Sequence, residues 1–177
     1  APYNNEKQEE TMIYEIKDTN KISPLFGHWE ETLIWSCLQG IMGKIYANDL
    51  TAPTAAMAVI GDFTFFAGEP CPELIAYRPP HCTQNFMIAV PQNKLWENML
   101  TQFYGKKAKI ISRYATKKEP PIFNKHHLEK IVASLPKQYT LSMIDSHFYK
   151  LCKSEAWSKD LVSQFSTYEK YRRLGIG

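Results

Sequence analysis

Two apolar runs joined by turn-forming residues constrain the fold of this chain more than any other stretch. The sequence GKIYANDLTAPTAAMAVIGDFTFFAGE covers residues 43–69, and Asn48–Asp49 and Pro53 separate its first run from its second. Short apolar runs bounded by such residues are typical of strands. Gly61–Asp62 interrupts the second run, 56–66, so this run is either two short strands with a turn or one strand with a bulge. We expect neighbouring antiparallel strands, with the aromatic side chains of the second partly in the core and partly toward a cleft.

The spacing of apolar residues predicts helices around these strands. Residues 33–41 repeat at i, i+1, i+4, i+5 and i+8, and residues 95–103 show the same spacing. A short apolar run, FMIAVP at 86–91, predicts a strand before the second helix, and AKIISRY at 108–114 predicts a strand after it. Strand, helix and strand joined in this way form a βαβ unit, which favours a parallel pair.

The C-terminal part shows further patterns of both kinds. Asn124 is a candidate N-cap for a helix whose apolar face continues to Leu135. Residues 139–145, YTLSMID, predict another strand. Residues 148–153 and 157–165 predict two short helices, and the polar end of the chain is interpreted as a loop or a third short helix.

A mild excess of positive charge argues against a nucleic-acid-binding protein. The formal net charge is +3, whereas proteins of that class carry a clustered basic face. The densest basic run, at residues 106–118, has Tyr104 and Tyr114 nearby and superficially resembles such a face. On a strand only alternate side chains share a face, so at most half of these charges act together. We interpret the run as an edge strand protected by lysines, and keep nucleic-acid binding as a third alternative.

The cysteines and histidines do not form a recognisable metal site. Four cysteines occur, at Cys37, Cys71, Cys82 and Cys152. They are too sparse for a disulfide scaffold, which indicates free thiols in a reducing compartment and predicts a cytoplasmic protein. Cys71, His81 and Cys82 could supply three ligands, but no C-x-x-C pair accompanies them and a fourth ligand is not evident. His126–His127 are adjacent, so on a helix they point about 100° apart and cannot share a metal.

Common motifs for phosphate, metal or nucleophile chemistry are absent from the sequence. It contains no Walker A loop, no G-x-G-x-x-G, no H-E-x-x-H and no G-x-S-x-G. No run approaches the roughly 20 apolar residues of a membrane helix, because Asp62 interrupts the most hydrophobic stretch. The first residues, APYNNEKQEE, are polar and acidic, unlike a signal peptide, so residues 1–11 are predicted to be a flexible leader. We expect no membrane partner.

Three stretches carry a family resemblance. KISPLF at 21–26 and the hairpin sequence at 43–70 resemble the opening of the bacterial GNAT acetyltransferase family that includes the zwittermicin A resistance proteins. Residues 135–177 resemble the join between that family's N-terminal domain and its GNAT domain. The resemblance implies an α/β fold with a GNAT-like mixed sheet and flanking helices over residues 12–135. Residues 136–177 would then begin an incomplete second GNAT domain, the catalytic one, in a truncated chain.

The last six residues, RRLGIG at 172–177, fit the pattern R-x-x-G-x-G of the acetyl-CoA loop. Such a loop leaves a strand and opens a helix, whose N–H groups and dipole face the pyrophosphate. Here the motif follows helical or loop sequence and opens nothing. The resemblance places the genuine loop later, so we interpret the match as a decoy, assign no cofactor-binding residue and expect no acetyl-CoA bound to this chain alone.

The resemblance implies acetyl transfer from acetyl-CoA to an amine of a small molecule in the complete protein. Its catalytic residues are not assigned. Four polar residues deserve inspection, Tyr46, Asp62, Glu69 and His81. A core tyrosine, a turn aspartate, a capping glutamate and a surface histidine explain them equally well. The alternative is a non-catalytic ligand-binding or regulatory module with a degenerate GNAT fold, and a homodimer is compatible with either reading.

Overall fold

The computed structural model describes residues 12–114 and 123–173, and its centre is a five-stranded mixed sheet. The strands are β1 (Tyr14–Ile16), β2 (Lys44–Ala47), β3 (Ala55–Ile60), β4 (Phe63–Gly68) and β5 (Ile88–Pro91). They lie side by side in chain order. The first four pair antiparallel, and β5 pairs parallel to β4.

Short helices connect and follow the strands. They are α1 (Ser23–Phe26), α2 (Thr32–Leu38), α3 (Pro72–Ala76), α4 (Lys94–Tyr104), α5 (Lys125–Ala133), α6 (Ser146–Ser154) and α7 (Tyr168–Arg172). Short 3₁₀ turns occur at Thr19–Lys21, Gly105–Lys107 and Lys159–Leu161. Within the described residues, no helix has both the length and the apolar character needed to cross a bilayer.

The hairpin predicted at residues 43–69 is confirmed. β2 and β3 are antiparallel neighbours, and Asn48 closes their connection because its Oδ1 accepts hydrogen bonds from the N–H groups of Thr54 at 3.2 Å and Ala55 at 3.1 Å. The second run is two strands with a turn, since Ile60 pairs with Phe63 across Gly61, whose φ is +55°. A glycine reaches this left-handed conformation without the cost that a Cβ imposes.

Helices cover both faces of the sheet, which confirms the α/β fold with a mixed sheet and flanking helices. On one face, Ile45, Ala58 and Phe65 join a core with α1 and α2. On the other, Met57 and Phe66 pack with α3 and α4. Successive residues of β3 alternate between the two cores, as the pleat of a strand requires.

The βαβ unit predicted at residues 86–114 is wrong in its last element. β5 and α4 are confirmed, but residues 108–114 are not a strand, and the parallel pair is β4 with β5. Ile110 and Ile111 are both exposed, and Arg113 lies 5.6 Å from the centre of the Phe63 ring. On a strand, Ile110 would share a face with Ser112, and Ile111 would lie between the charged Lys109 and Arg113. Neither face would therefore have a continuous apolar surface that fixes a register. The interpretation as a lysine-protected edge strand is therefore also wrong.

The strand predicted at residues 139–145 is not formed. Residues 139–144 have no strand pairing within the chain, so they do not extend the five-stranded sheet. Tyr139, Leu141 and Met143 are exposed. A β-favouring sequence becomes a strand only where a sheet edge accepts it, because its backbone hydrogen bonds need a partner.

The last described segment forms a third, smaller core. Tyr149, Val162, Phe165 and Tyr171 pack against Ile41, which precedes β2, and the Tyr149 hydroxyl donates to the Phe165 carbonyl oxygen at 2.9 Å. The helix predicted at 148–153 is confirmed, and the polar end forms α7. The helix predicted at 157–165 is instead turns around a short 3₁₀ segment. A domain boundary at residue 135 remains a prediction.

Candidate functional site

Two of the four candidate residues, Tyr46 and His81, lie together. Tyr46 is on β2, and its side chain is buried on the sheet face covered by α3 and α4. Its hydroxyl oxygen is 3.4 Å from Nδ1 of His81, and the two rings stack with centroids 6.3 Å apart. Tyr77 packs on the same phenol at a centroid distance of 5.3 Å. A buried hydroxyl therefore contacts an imidazole that is itself exposed.

The loop after α3 positions His81. The N–H of Cys82 donates to the Pro79 carbonyl oxygen at 2.9 Å, which forms a tight turn around the histidine. Arg78 holds the rest of the loop, because its guanidinium donates to the carbonyl oxygens of Gln84 and Phe86. The loop thus has internal hydrogen bonds on both sides of His81.

An ion pair lies beside the two rings. Lys44 at the start of β2 and Glu15 on β1 are 2.8 Å apart, and both side chains are nearly half exposed. Solvent screens such a pair, so it contributes little to the free energy of unfolding. Its charges nevertheless act on the neighbouring phenol and imidazole.

Burial sets the protonation of the pair. Desolvation raises the pKa of Tyr46 well above its usual value, and the negative charge of Glu15 raises it further. Desolvation also lowers the pKa of His81, and the positive charge of Lys44 acts in the same direction while Glu15 opposes it. Near neutral pH the phenol is therefore protonated and the imidazole is uncharged. In these states the phenol can donate a hydrogen bond and the imidazole can accept it.

His81 and Lys44 also line a cleft of about 430 Å³ at one end of the sheet, which we term the sheet-end cleft. Its lining is Ile41, Met42, Gly43, Lys44, Val59, Ile60, Gly61, His81, Ser163, Gln164, Ser166 and Lys170. Two chain segments far apart in sequence meet here, since a Cβ at Gly61 would be 3.6 Å from Nε2 of Gln164. The volume lies in the range of small-molecule sites.

Asp62 and Glu69 lie at opposite ends of β4, so the structure does not bring the four candidates into one site. Asp62 is in the β3–β4 turn and lines a cavity of about 20 Å³ with Tyr77 and Arg78, a volume suited to about one water molecule. Glu69 is exposed, and its N–H donates to the Thr54 carbonyl oxygen at 2.9 Å.

The possible metal ligands do not lie close enough together to form a site. The Cys71 thiol lies 3.1 Å from Oε2 of Glu73, and burial raises the pKa of Cys71 and Cys82. Protonated thiols are poor metal ligands. Across residues 12–114 and 123–173, no three His, Cys, Asp or Glu side chains are grouped so that they could hold a metal ion.

The terminal R-x-x-G-x-G match is only partly described. Arg172 ends α7 and Arg173 follows it, whereas both glycines, Gly175 and Gly177, lie outside the described residues. Its interpretation as a decoy stays a prediction. The basic run at 106–118 is also only partly described, since residues 115–122 lie outside the structure's described range.

Sequence reasoning missed the partners of the Tyr46–His81 pair. Glu15 lies on β1, a strand of three residues with no distinctive pattern, and its cross-strand pairing with Tyr46 appears only in the register. Ser163, Gln164 and Lys170 reach the cleft through tertiary packing of the C-terminal turns. No local pattern in the sequence indicates that approach.

Comparisons with known proteins give two matches of different kinds. The GNAT acetyltransferase family model matches residues 23–177. Among solved structures, the crystal structure of a GCN5-related N-acetyltransferase-like protein from Streptococcus suis 89/1591 is 37% identical and superposes with a TM-score of 0.70. That match covers 88% of this chain and 62% of the other, so the chain spans less than two thirds of that protein's length. No curated protein matches the chain.

Proposed function

The chain belongs to the GNAT acetyltransferase family, and from this premise we propose that it is part of an N-acetyltransferase that transfers an acetyl group from acetyl-CoA to an amine of a small molecule. The observation that carries the proposal is the family match over residues 23–177. The five-stranded mixed sheet and the similarity to the Streptococcus suis protein support it. The specific resemblance to zwittermicin A resistance proteins remains part of the proposal.

The described residues do not form an acetyl-CoA loop. Such a loop needs free backbone N–H groups where a strand passes into a helix. At the β5–α4 junction, Oδ1 of Asn93 already accepts from the N–H groups of Leu95 and Trp96, at 3.0 and 3.1 Å. At the β4–α3 junction, Pro72 begins a helix of five residues and supplies no N–H. Neither junction therefore offers the free N–H groups that the pyrophosphate of acetyl-CoA needs.

The chemistry of the proposed reaction still indicates what to seek. An alkylamine has a pKa near ~10.4, so a base must remove its proton before it attacks an acyl carbon. His81 is not assigned as that base, because when the Tyr46 hydroxyl donates to its Nδ1 the other ring nitrogen already carries a hydrogen. Of the four candidate residues, the structure brings Tyr46 and His81 into contact, and no catalytic role is assigned to any of the four.

A non-catalytic ligand-binding module is the second candidate. The sheet-end cleft favours it, because the cleft has the volume of a small-molecule site and lies apart from both strand–helix junctions where a pyrophosphate could bind. A module of this kind would bind its ligand and leave it unchanged.

An acetylation assay separates the two candidates. Acetyl-CoA and a panel of small amines are incubated with the protein encoded by the complete gene and, separately, with residues 1–177 alone. The released CoA thiol is measured in both. We expect turnover with the protein encoded by the complete gene. Lack of turnover with every amine, together with saturable binding of a panel member by calorimetry, would favour the binding module.

We further predict that residues 1–177 alone do not bind acetyl-CoA, because neither strand–helix junction of the described residues, β4–α3 or β5–α4, presents free backbone N–H groups for its pyrophosphate. Isothermal titration calorimetry measures this directly. Saturable heat at micromolar acetyl-CoA would contradict the prediction and make RRLGIG the first candidate for the loop.

A further inference from the structure

The polar lining of the sheet-end cleft has an unusual charge balance. Lys44 and Lys170 contribute two ammonium groups, and no carboxylate lines the cleft among the described residues. Ser163, Ser166 and Gln164 add hydroxyl and amide donors. A cationic ligand would meet like charges here, whereas an anion would meet donors and positive charge.

The nearby carboxylates do not reverse this balance. Glu15 pairs with Lys44 at 2.8 Å, which leaves the charge of Lys170 in excess. Glu169 is next to Lys170 in sequence, but its carboxylate is stabilised by the Thr167 hydroxyl and by its own backbone N–H at the start of α7. Asp62 follows the lining residue Gly61 but lines the small cavity beside Arg78 instead.

The Tyr46–His81 contact adds a directed donor. A protonated Tyr46 hydroxyl can donate to Nδ1 of His81 across their 3.4 Å separation, which places the imidazole proton on Nε2. The nitrogen not engaged by Tyr46 is then an N–H donor on a side chain that lines the cleft. An uncharged histidine in this tautomer donates to an oxyanion without needing a charge of its own.

One side of the cleft is apolar. Ile41, Val59 and Ile60 are buried in the adjoining cores, so the apolar surface comes from the partly exposed Met42. At Gly61 the absence of a Cβ leaves the backbone uncovered beside Gln164. The site therefore offers apolar surface beside the cationic and hydrogen-bonding groups, the combination typical of small-molecule sites.

We propose that the sheet-end cleft binds a small oxyanion, a carboxylate or phosphate carried on a compact apolar body, through Lys44, Lys170 and His81. The amine acceptor of acetyl transfer has the opposite charge, so this ligand is a second molecule or a separate anionic group of the acceptor. The inference rests on the charge and shape of the cleft and stands whether or not the chain belongs to an active acetyltransferase.

The test uses residues 1–177 and three probes of similar shape that differ in charge: benzoate, benzamide and benzylammonium. Inorganic phosphate tests an oxyanion without an apolar body. Binding is followed by ¹H–¹⁵N NMR, and we expect benzoate and phosphate to shift the amides of Gly43, Gly61 and Gln164 saturably. Benzamide should bind more weakly, and benzylammonium should not shift these amides.

Lysine variants locate the interaction. Each exposed ion pair is worth up to about 1 kcal/mol, so Lys170→Ala should weaken benzoate binding about two- to fivefold, and Lys44→Ala with Lys170→Ala about tenfold. Lys159→Ala is the matched control, because Lys159 is exposed on the same C-terminal segment and does not line the cleft. It should bind benzoate like the unchanged chain. Rising NaCl should weaken binding as well, which tests the electrostatic origin even if a lysine variant fails to fold.

Several results would overturn the proposal. Equal shifts with benzylammonium and benzoate would show that charge does not select the ligand. The same loss in Lys159→Ala and Lys170→Ala would place the interaction elsewhere. Shifts that never saturate, or saturable binding that is insensitive to salt, would exclude the proposed oxyanion site.

Discussion

Helices α4 and α5 carry the same sequence signals but differ in burial. Each begins after an asparagine whose Oδ1 accepts backbone hydrogen bonds, Asn93 for α4 and Asn124 for α5. On α4, Trp96 is 0% exposed and packs on the sheet. On α5, the apolar residues Leu128, Ile131 and Val132 are 45%, 50% and 49% exposed, and no described residue of the helix is buried. Periodicity and capping therefore specify a helix, whereas a packing partner decides whether it stabilises the fold.

The largest expected effect is at Trp96. Its indole packs on Phe66 with ring centroids 5.1 Å apart, and its Nε1 donates to the Gly68 carbonyl oxygen at 2.9 Å. Trp96→Ala should lower the free energy of unfolding by about 3–5 kcal/mol, because it leaves a cavity and an unpaired carbonyl. Urea denaturation followed by circular dichroism measures the change.

Leu128→Ala on α5 is the matched control. Its side chain is nearly half exposed, so the loss in the free energy of unfolding should stay within about 0.5 kcal/mol. A loss at Leu128 comparable to that at Trp96 would show that α5 is packed in solution and that the contrast between the helices is wrong.

The next largest loss in the free energy of unfolding is expected at Gly68, at the end of β4. Its φ is +79°, and a Cβ there would collide with the carbonyl oxygen of Thr54, the residue before β3. Gly68→Ala should lower the free energy of unfolding by about 2–3 kcal/mol, from backbone strain and the clash together. Thermal unfolding shows the change as a lower Tm.

Gly105→Ala separates strain from clash. Gly105 ends α4 with a φ of +51°, and nothing lies within 4 Å of a Cβ built there. Its φ of +51° with ψ of −126° is a conformation that favours glycine, so its substitution adds backbone strain of about 1–2 kcal/mol and no clash. Equal losses at Gly68 and Gly105 would mean that the sheet edge relaxes around the new methyl group.

The sequence predicts the parts of this fold that local patterns specify, and not the parts that depend on tertiary packing. The turn residues between β2 and β3 and the glycine before β4 specify their hairpins locally, so those strands were predictable. Residues 108–114 and 139–144 have strand-like patterns, but strand formation depends on a free edge in a suitable register, which is a property of the whole fold. In the candidate site, Tyr46 and His81 were found as residue types, whereas their 3.4 Å contact depends on a loop after α3 whose conformation no pattern encodes.

The N-caps provide a smaller test of the contrast between helices. Asn93→Ala removes the acceptor of two N–H groups at the start of a packed helix and should lower the global free energy of unfolding by about 1 kcal/mol. Asn124→Ala removes the acceptor for the N–H of His127, at 3.0 Å, on a helix with no buried residue. It should leave the urea midpoint unchanged.

Hydrogen exchange shows what Asn124→Ala does instead. Loss of the cap should speed exchange of the α5 amides alone, since that helix can open without disturbing the sheet. A shift of the urea midpoint by Asn124→Ala equal to that of Asn93→Ala would contradict local opening of α5.

The smallest expected effect concerns charge at the sheet. Burial holds the pKa of His81 below its usual value, and Lys44 acts in the same direction. The unfolded chain therefore binds the proton more readily, so the contribution of His81 to stability is complete above its unfolded pKa, near ~6.5, and is lost as the pH falls through the lower, folded pKa.

Lys44→Ala should raise the NMR-measured pKa of His81, because it removes a repelling charge, and Glu15→Gln should lower it, because it removes an attracting one. Opposite shifts in the two variants would show that the ion pair acts on the imidazole through space. The absence of a shift in both variants would instead attribute the depressed pKa to burial alone, and the sheet-end cleft would then lose the electrostatic coupling between Lys44 and His81.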